Sequence, residues 1–435
     1  MMEMLTREQS APNEGVPLPI RRGPLLLAWV ILIVFCLLGP FMSYSGLPGT
    51  GEGSPVRQAG YLTVFLLAVY GSRPLLDPKR MLVVPLAITV ALGWVWLSVA
   101  WALDPGIALR RAFLTTTIIW SIFAIVRRLG VDQPLMIARA LLVALLVINI
   151  LVSILFPELG VHSVNEPADK GLIGDWRGIM THKNFAGPTV ALLILMFVFD
   201  ARRIPTALRV IVIAAGTYFL YRSGSKTSAG MVISALAIGA LFLYYKGKGK
   251  NFIMILTCLV GMAGAIAAYV YQDPLKGNFT DERSFTGRPL IWKALANYWS
   301  DHPWTGSGFG SFWNIGPQGP IYRYATGWVT EVATGHNGFL DLLATVGLPG
   351  LILILIATVI VPVFTLLSKA DPNAPRNALI ISMLFFCIGH NSTESTLFDR
   401  DTIPEVFLMF AIAAIAAMEG SRFTRTRRSP VPRTT

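Results

Sequence analysis

Charge is what this sequence lacks. Only 14% of its 435 residues are Asp, Glu, Lys or Arg, while 54% are hydrophobic; soluble globular chains run near a quarter charged. A solvated surface cannot be built from that inventory, and disorder is excluded by the same apolar content. Cysteine is scarce too. Cys36, Cys258 and Cys387 lie inside apolar runs, so no disulfide framework or zinc motif is available. No GxxxxGK[ST] loop occurs, which argues against nucleotide-driven transport. The alternating segments of ~10 residues that build a transmembrane barrel are also missing. The net charge of +12 reads as membrane topology and not as a nucleic-acid surface.

What is present is a series of long apolar runs, at 24–42, 59–72, 81–103, 107–126, 135–157, 184–199, 206–222, 227–245, 252–271, 337–367, 376–396 and 403–419. About 20 apolar residues span the bilayer core. The runs therefore predict an all-α polytopic membrane protein with about 12 transmembrane helices. Gly347-Leu348-Pro349-Gly350 predicts a kink or break in the tenth. No small-residue cleavage site follows the first run, which reads as a retained span.

Lys and Arg set the orientation. One alternate set of connectors and tails carries 20 of them, at least two in every short connector, and the other set carries 12. The first set is placed in the cytoplasm, both termini included. The predicted division is a cytoplasmic tail 1–23, helices one to nine over 24–271, a long periplasmic loop 272–336 carrying short helices, helices ten to twelve over 337–419, and a basic cytoplasmic tail 420–435. With loop 158–183 also outside, the soluble mass lies on the outer face, and that face is expected to do the work.

Polar chemistry concentrates there. His162, His182, His302, His336 and His390 all fall in outer loops or at outer span ends. No pair has zincin spacing and no thiol is near, so a metal is not expected. Outward cations oppose the orientation rule: Arg177 before Thr181-His182-Lys183-Asn184, Arg222 and Lys226 around Ser223-Gly224-Ser225, and Arg288 after Gly287. Each could snorkel to headgroups; together they could clamp a pyrophosphate. Arg110 and Arg111 could join them or contact lipid phosphate. Trp292, Tyr298, Trp299, Trp304, Trp313 and Trp328 in the long loop suit an interfacial belt or stacking on sugars. Gly306-Ser307-Gly308-Phe309-Gly310 reads as a tight turn.

His336 stands at the start of a span, where the positive dipole end favours the neutral imidazole that a general base requires. Its bland alternative is a helix cap. His390, Asn391 and Glu394 form a second polar cluster on the same face. His182, Asn184, Asn337 and Glu394 are the candidates to orient the base or bind acceptor hydroxyls.

The ordered set Arg177…His182-Lys183-Asn184-Phe185-Ala186-Gly187, Ser223-Gly224-Ser225-Lys226-Thr227-Ser228, Gly287-Arg288…Trp292, Pro303-Trp304-Thr305-Gly306-Ser307-Gly308-Phe309-Gly310 and His336-Asn337-Gly338-Phe339-Leu340 resembles the O-antigen ligase/Wzy-type polymerase superfamily. Within it, the Thr-His-Lys-Asn and His-Asn-Ser-Thr-Glu versions look most like polymerases of rhizobial exopolysaccharides, succinoglycan type. The resemblance covers roughly residues 80–420. It implies inverting, metal-independent glycosyl transfer at the periplasmic face of the inner membrane, with no cofactor. The implied donor is an oligosaccharide on undecaprenyl pyrophosphate, and the implied partners are membrane lipids, a flippase and chain-length or export proteins. Carried over, His336 is the base and Arg177 a phosphate ligand. Lys226 stands where the family commonly has Arg and binds as a point charge, so Arg222 or Arg288 would supply the forked contact. Two alternatives remain: a ligase passing a finished glycan to a different acceptor, and a transporter or flippase. The transporter would require paired charges buried mid-span, and acidic residues are nearly absent from the apolar runs.

Overall fold

A backbone inside lipid must satisfy its own N–H and C=O groups, which leaves helices as the natural form for apolar runs of this length. The computed structural model describes residues 20–42, 54–163, 170–244, 249, 287–368 and 373–426. The predicted span 252–271, residues 272–286 of the long loop, the start of the first tail and the end of the last lie outside the described residues.

The main helices are α1 (Arg22–Met42), α2 (Pro55–Ser72), α3 (Leu86–Ser98), α4 (Pro105–Leu129), α5 (Asp132–Leu155), α6 (Lys183–Val198), α7 (Thr206–Arg222), α8 (Lys226–Tyr244), α9 (Arg288–Asp301), α10 (Gly338–Leu355), α11 (Val361–Ser368), α12 (Ala374–His390) and α13 (Ile403–Thr426). Among the described residues the one extended pairing is an isolated bridge between Val161 and Trp176. Among the described residues five helical stretches, Arg22–Gly39, Pro105–Leu129, Asp132–Leu155, Lys226–Tyr244 and Gly338–Ser368, are long and apolar enough to cross a membrane. The fold is all-α and polytopic, as the apolar runs predict.

Helix α6, α12 and the first half of α13 are buried on every side, the signature of helices apolar all round. They form the centre of the bundle. Around them α2, α5 and α7 expose large apolar side chains, among them Leu66, Ile154 and Ile211, which suits lipid as the surrounding solvent. The C-terminal carbonyls of α6 are met by two arginines from neighbouring helices. Arg139 Nη2 donates to Met196 O at 2.7 Å and Asp200 O at 3.0 Å, and Arg209 Nε donates to Phe197 O at 3.2 Å. Cations belong at that end of a helix dipole.

The expected break in the tenth span is real. Gly347 in α10 has φ 68° and ψ −178°, two residues before Pro349, and a π-helical turn, Ile356–Ile360, follows. The Pro303–Gly310 segment packs into the break: Leu348 N–H donates to Pro303 O at 2.8 Å, and Ser307 N–H to Ala344 O at 2.9 Å. A Cβ on Gly347 would stand 2.3 Å from Trp304 O. Non-helical backbone is thus enclosed by protein, as lipid requires. Arg111 holds the same segment, donating to Gly310 O and to Trp313 O (3.1 Å).

Several boundaries differ from the hydropathy reading, among them those of α3, which is Leu86–Ser98 inside the predicted 81–103. Helix α12 stops at His390, short of the predicted end at 396, because the polar run from Asn391 to Thr396 is needed for a turn. Helix α2 starts at Pro55, capped by Ser54, ahead of the predicted start at 59.

Candidate active site

The starts of α6, α9 and α10 and the end of α12 converge on Glu394. Asn337 caps α10, its Oδ1 accepting from the N–H groups of Phe339 and Leu340 at 3.1 Å each. His336 precedes that cap and takes no part in it. Its φ of 49° is a left-handed conformation that a non-glycine residue holds at a cost. The surroundings enforce it. Asn337 N–H donates to Ser395 Oγ at 3.0 Å, Trp292 Nε1 to Gly335 O at 3.0 Å, and Gly338 N–H to the carbonyls of Asn391 and Glu394 at 2.9 and 3.0 Å. A side chain on Gly338 would collide with Asn391 Oδ1, 2.2 Å from its Cβ.

His336 Nδ1 lies 3.1 Å from Glu394 Oε2. The other carboxylate oxygen accepts from Arg288 Nη2 and from Asn184 Nδ2, both at 2.8 Å. Burial works to raise the Glu394 carboxyl, but the hydrogen bond to His336 and the charge of Arg288 outweigh it and hold it at about 2. An ionised carboxylate only accepts. In the neutral form of His336 the proton therefore sits on Nδ1, and Nε2 keeps its lone pair. Arg288 is fixed in turn by Thr393 O at 2.5 Å.

His182 is the N-cap of α6, its Nδ1 accepting from Asn184 N–H at 3.1 Å. Its ring meets His162 edge-on with centroids 5.1 Å apart. Burial, then the neighbouring His162, push it down to about 4, so it is neutral at pH 7. The expected clamp residues sit nearby on two joined loops. Trp176 N–H donates to Arg222 O at 2.9 Å, and the Arg222 guanidinium lies 4.5 Å from the Trp176 ring centroid. Lys183 Nζ bridges the loops through Asp175 Oδ2 at 2.6 Å and Gly224 O at 3.3 Å. Arg177 donates to Leu159 O and Thr181 O, and Lys226 is exposed at the start of α8.

A cavity of about 420 Å³ opens beside this array, with His336, Glu394, His182, Asn184 and the buried His390 on its wall. Arg177, Arg222, Lys226 and Arg288 do not line it; Arg57 and Arg400 do. Neither is among the cations expected to form the clamp. The available signal was the alternation Asp399-Arg400-Asp401, a charged run at the outer end of an apolar span. What brings Arg57 to it is a contact invisible along the chain: Asp401 accepts from Arg57 Nε at 2.5 Å and Nη2 at 2.6 Å, and from the Tyr61 hydroxyl.

The site thus offers an oriented imidazole and a fixed carboxylate, with cations on adjoining loops, which together suit removal of a proton from a hydroxyl beside a phosphorylated donor. Among curated proteins nothing matches the chain. Residues 210–355, about a third of the chain, match the family model described as O-antigen ligase, a span that takes in Arg222, Lys226, Arg288, His336 and Asn337.

Proposed function

We propose that this chain joins oligosaccharide repeat units carried on undecaprenyl pyrophosphate into an exopolysaccharide, by inverting, metal-independent glycosyl transfer at the periplasmic face of the bacterial inner membrane. The observation that carries the reading is His336 with Nδ1 on the ionised Glu394 and its ring on the wall of a 420 Å³ cavity. In the step, an acceptor hydroxyl gives its proton to His336 Nε2 as its oxygen attacks the anomeric carbon. The glycosyl–phosphate C–O bond breaks on the opposite face, and its electron pair leaves on undecaprenyl pyrophosphate. Attack opposite the leaving group inverts the anomeric centre. Glu394 is a positioning residue: it fixes the tautomer and stabilises the imidazolium that forms. Arg177, Arg222, Lys226 and Arg288 are the candidates to meet the charge developing on the leaving pyrophosphate, and the contact of Arg288 with Glu394 couples that side to the base. His182, Asn184 and Asn337 position the array.

A ligase reading is favoured by the description of the matching family. It uses the same donor chemistry and a different acceptor. In cells that depend on this protein, polymer size and the lipid-linked pool separate the readings. At matched membrane levels, His336→Ala and Arg177→Ala should accumulate single lipid-linked repeat units and lose long polymer. Long carrier-bound glycan that fails only to reach a second acceptor would support the ligase. Unchanged long polymer in His336→Ala would remove that residue as base.

A further inference from the structure

The cavity has a second polar wall beyond the Glu394 that holds the base. It is the later part of the α12–α13 loop, residues 396–402, and it is heavily scaffolded. Asn391 Oδ1 alone accepts from Leu397 N–H at 2.7 Å, Thr396 N–H at 2.8 Å and the Thr396 hydroxyl at 3.1 Å. Phe398 N–H donates to Glu405 Oε2 at 3.0 Å, and Asp401, 2% exposed, is held by Arg57 and Tyr61. Within this frame two non-glycine residues are left-handed, Phe398 at φ 58° and Arg400 at φ 34°. Strain of this kind persists only where its surroundings over-determine it, and it clusters at ligand sites.

What the strained segment presents is Asp399 and Arg400. Their side chains are 42% and 30% exposed, and both line the cavity opposite in sign to one another. A single 3.2 Å contact, Arg400 Nε to Asp399 Oδ1, joins them. Of the carboxylates that line this cavity, Glu394 is balanced by Arg288 and Asp401 by Arg57, which leaves Asp399 and Arg400 to balance each other. A phosphate there would find no guanidinium without a carboxylate already beside it. A neutral, many-hydroxyl ring suits such a pair, because its O–H groups donate to a carboxylate while its oxygens accept from a guanidinium. Hydroxyls of Thr334, Ser395 and Thr402 add to the same lining. The volume lies toward the small end of the ~300–1,000 Å³ of small-molecule sites, which suits a short saccharide.

We propose that Asp399 and Arg400 form the subsite for the sugar at the acceptor end of the glycan, in the cavity that His336 also lines. The proposal rests on the glycosyl-transfer reading above and names where that reaction holds its nucleophile. Asp399 accepts hydrogen bonds from hydroxyls of the acceptor ring, Arg400 donates to its oxygens, and the attacking hydroxyl is thereby presented to His336 Nε2.

The test uses the full chain in lipid nanodiscs and two probes. One is the water-soluble repeat-unit oligosaccharide released by mild acid from the lipid-linked pool of the host; the other is undecaprenyl pyrophosphate. Asp399→Asn and Arg400→Gln should each weaken oligosaccharide binding on the order of tenfold, the usual scale for a charged hydrogen bond. Their affinity for undecaprenyl pyrophosphate should change less than about twofold. Arg400→Lys, which keeps the charge and loses the fork, should recover part of the loss. Oligosaccharide binding unchanged in both variants, or too weak to measure in the wild type, would overturn the proposal. So would an equal loss of pyrophosphate affinity, or a fall in melting temperature that accounts for the loss. Failure of the broader reading shows elsewhere, as long polymer persisting in His336→Ala cells.

Discussion

At Glu394 both carboxylate oxygens are engaged, one by His336 and the other by Arg288 and Asn184. Replacing the carboxylate with an amide offers Nδ1–H a weaker acceptor and leaves Arg288 without its counter-charge. Glu394→Gln should therefore lower turnover by roughly 10²-fold or more, with KM little changed, in a steady-state assay on lipid-linked donor; wrong-tautomer effects of this kind are large. Because the carboxyl is held at about 2, its ionisation contributes stability above its ordinary value of about 4.5, lost only as the pH falls toward 2. An acid limb in the rate above pH 4 does not come from Glu394. His182 runs the other way in charge. Held near 4 by burial, it stays neutral while the unfolded chain takes up a proton below about 6.5. Stability should thus fall as pH drops from 6.5 to 4. His182→Asn, which keeps a capping side chain, should flatten the melting temperature between pH 7 and pH 5. His336 was legible in the sequence because Asn337-Gly338 after it marks a helix start. The partnership with Glu394 was visible only as a polar cluster, since 58 residues separate the two.

Among the elements, α10 shows what periodicity can and cannot reveal. Gly347 followed by Pro349 announced the break, and the glycine-rich Pro303–Gly310 stretch announced a turn. That the turn fills the break could not be read, because it depends on packing between separate segments. Alanine at Gly347 would face both a left-handed φ and a backbone oxygen 2.3 Å from its Cβ. Gly347→Ala should destabilise the fold by about 1–3 kcal/mol, measured as a lower melting temperature in detergent and earlier proteolysis in the 303–310 segment. The end of α12 was overrun by the hydropathy reading for a related reason: Ile388-Gly389-His390-Asn391 fades gradually from apolar to polar, and only the hydrogen bonds of Asn391 to Thr396 and Leu397 define the stop. Arg139 and Arg209 fall within predicted spans; their partners are carbonyls at the end of α6, which side-chain type alone does not announce.

For the molecule as a whole, the all-helical polytopic fold was legible from scarce charge and long apolar runs, because lipid leaves a chain few other forms. The cavity was not. Its wall joins the start of α2 to the loop before α13 through Arg57 and Asp401, 344 residues apart. Asp401 is 2% exposed and Arg57 26%, so removing the acid strands a largely buried guanidinium. Asp401→Leu should cost about 3 kcal/mol, and adding Arg57→Met should recover much of it; equilibrium unfolding of wild type, the two single variants and the double variant in a double-mutant cycle reads both.

The central claim is that His336 is the base of a lipid-linked glycosyl transfer. The most direct measurement is the single-turnover rate of glycosidic bond formation by purified protein reconstituted in vesicles with lipid-linked repeat units, comparing wild type, His336→Ala and His336→Gln. A general base contributes roughly 10²–10⁴-fold. Both variants should fall by that amount while still binding donor. A His336→Ala rate within a few-fold of wild type would contradict the account.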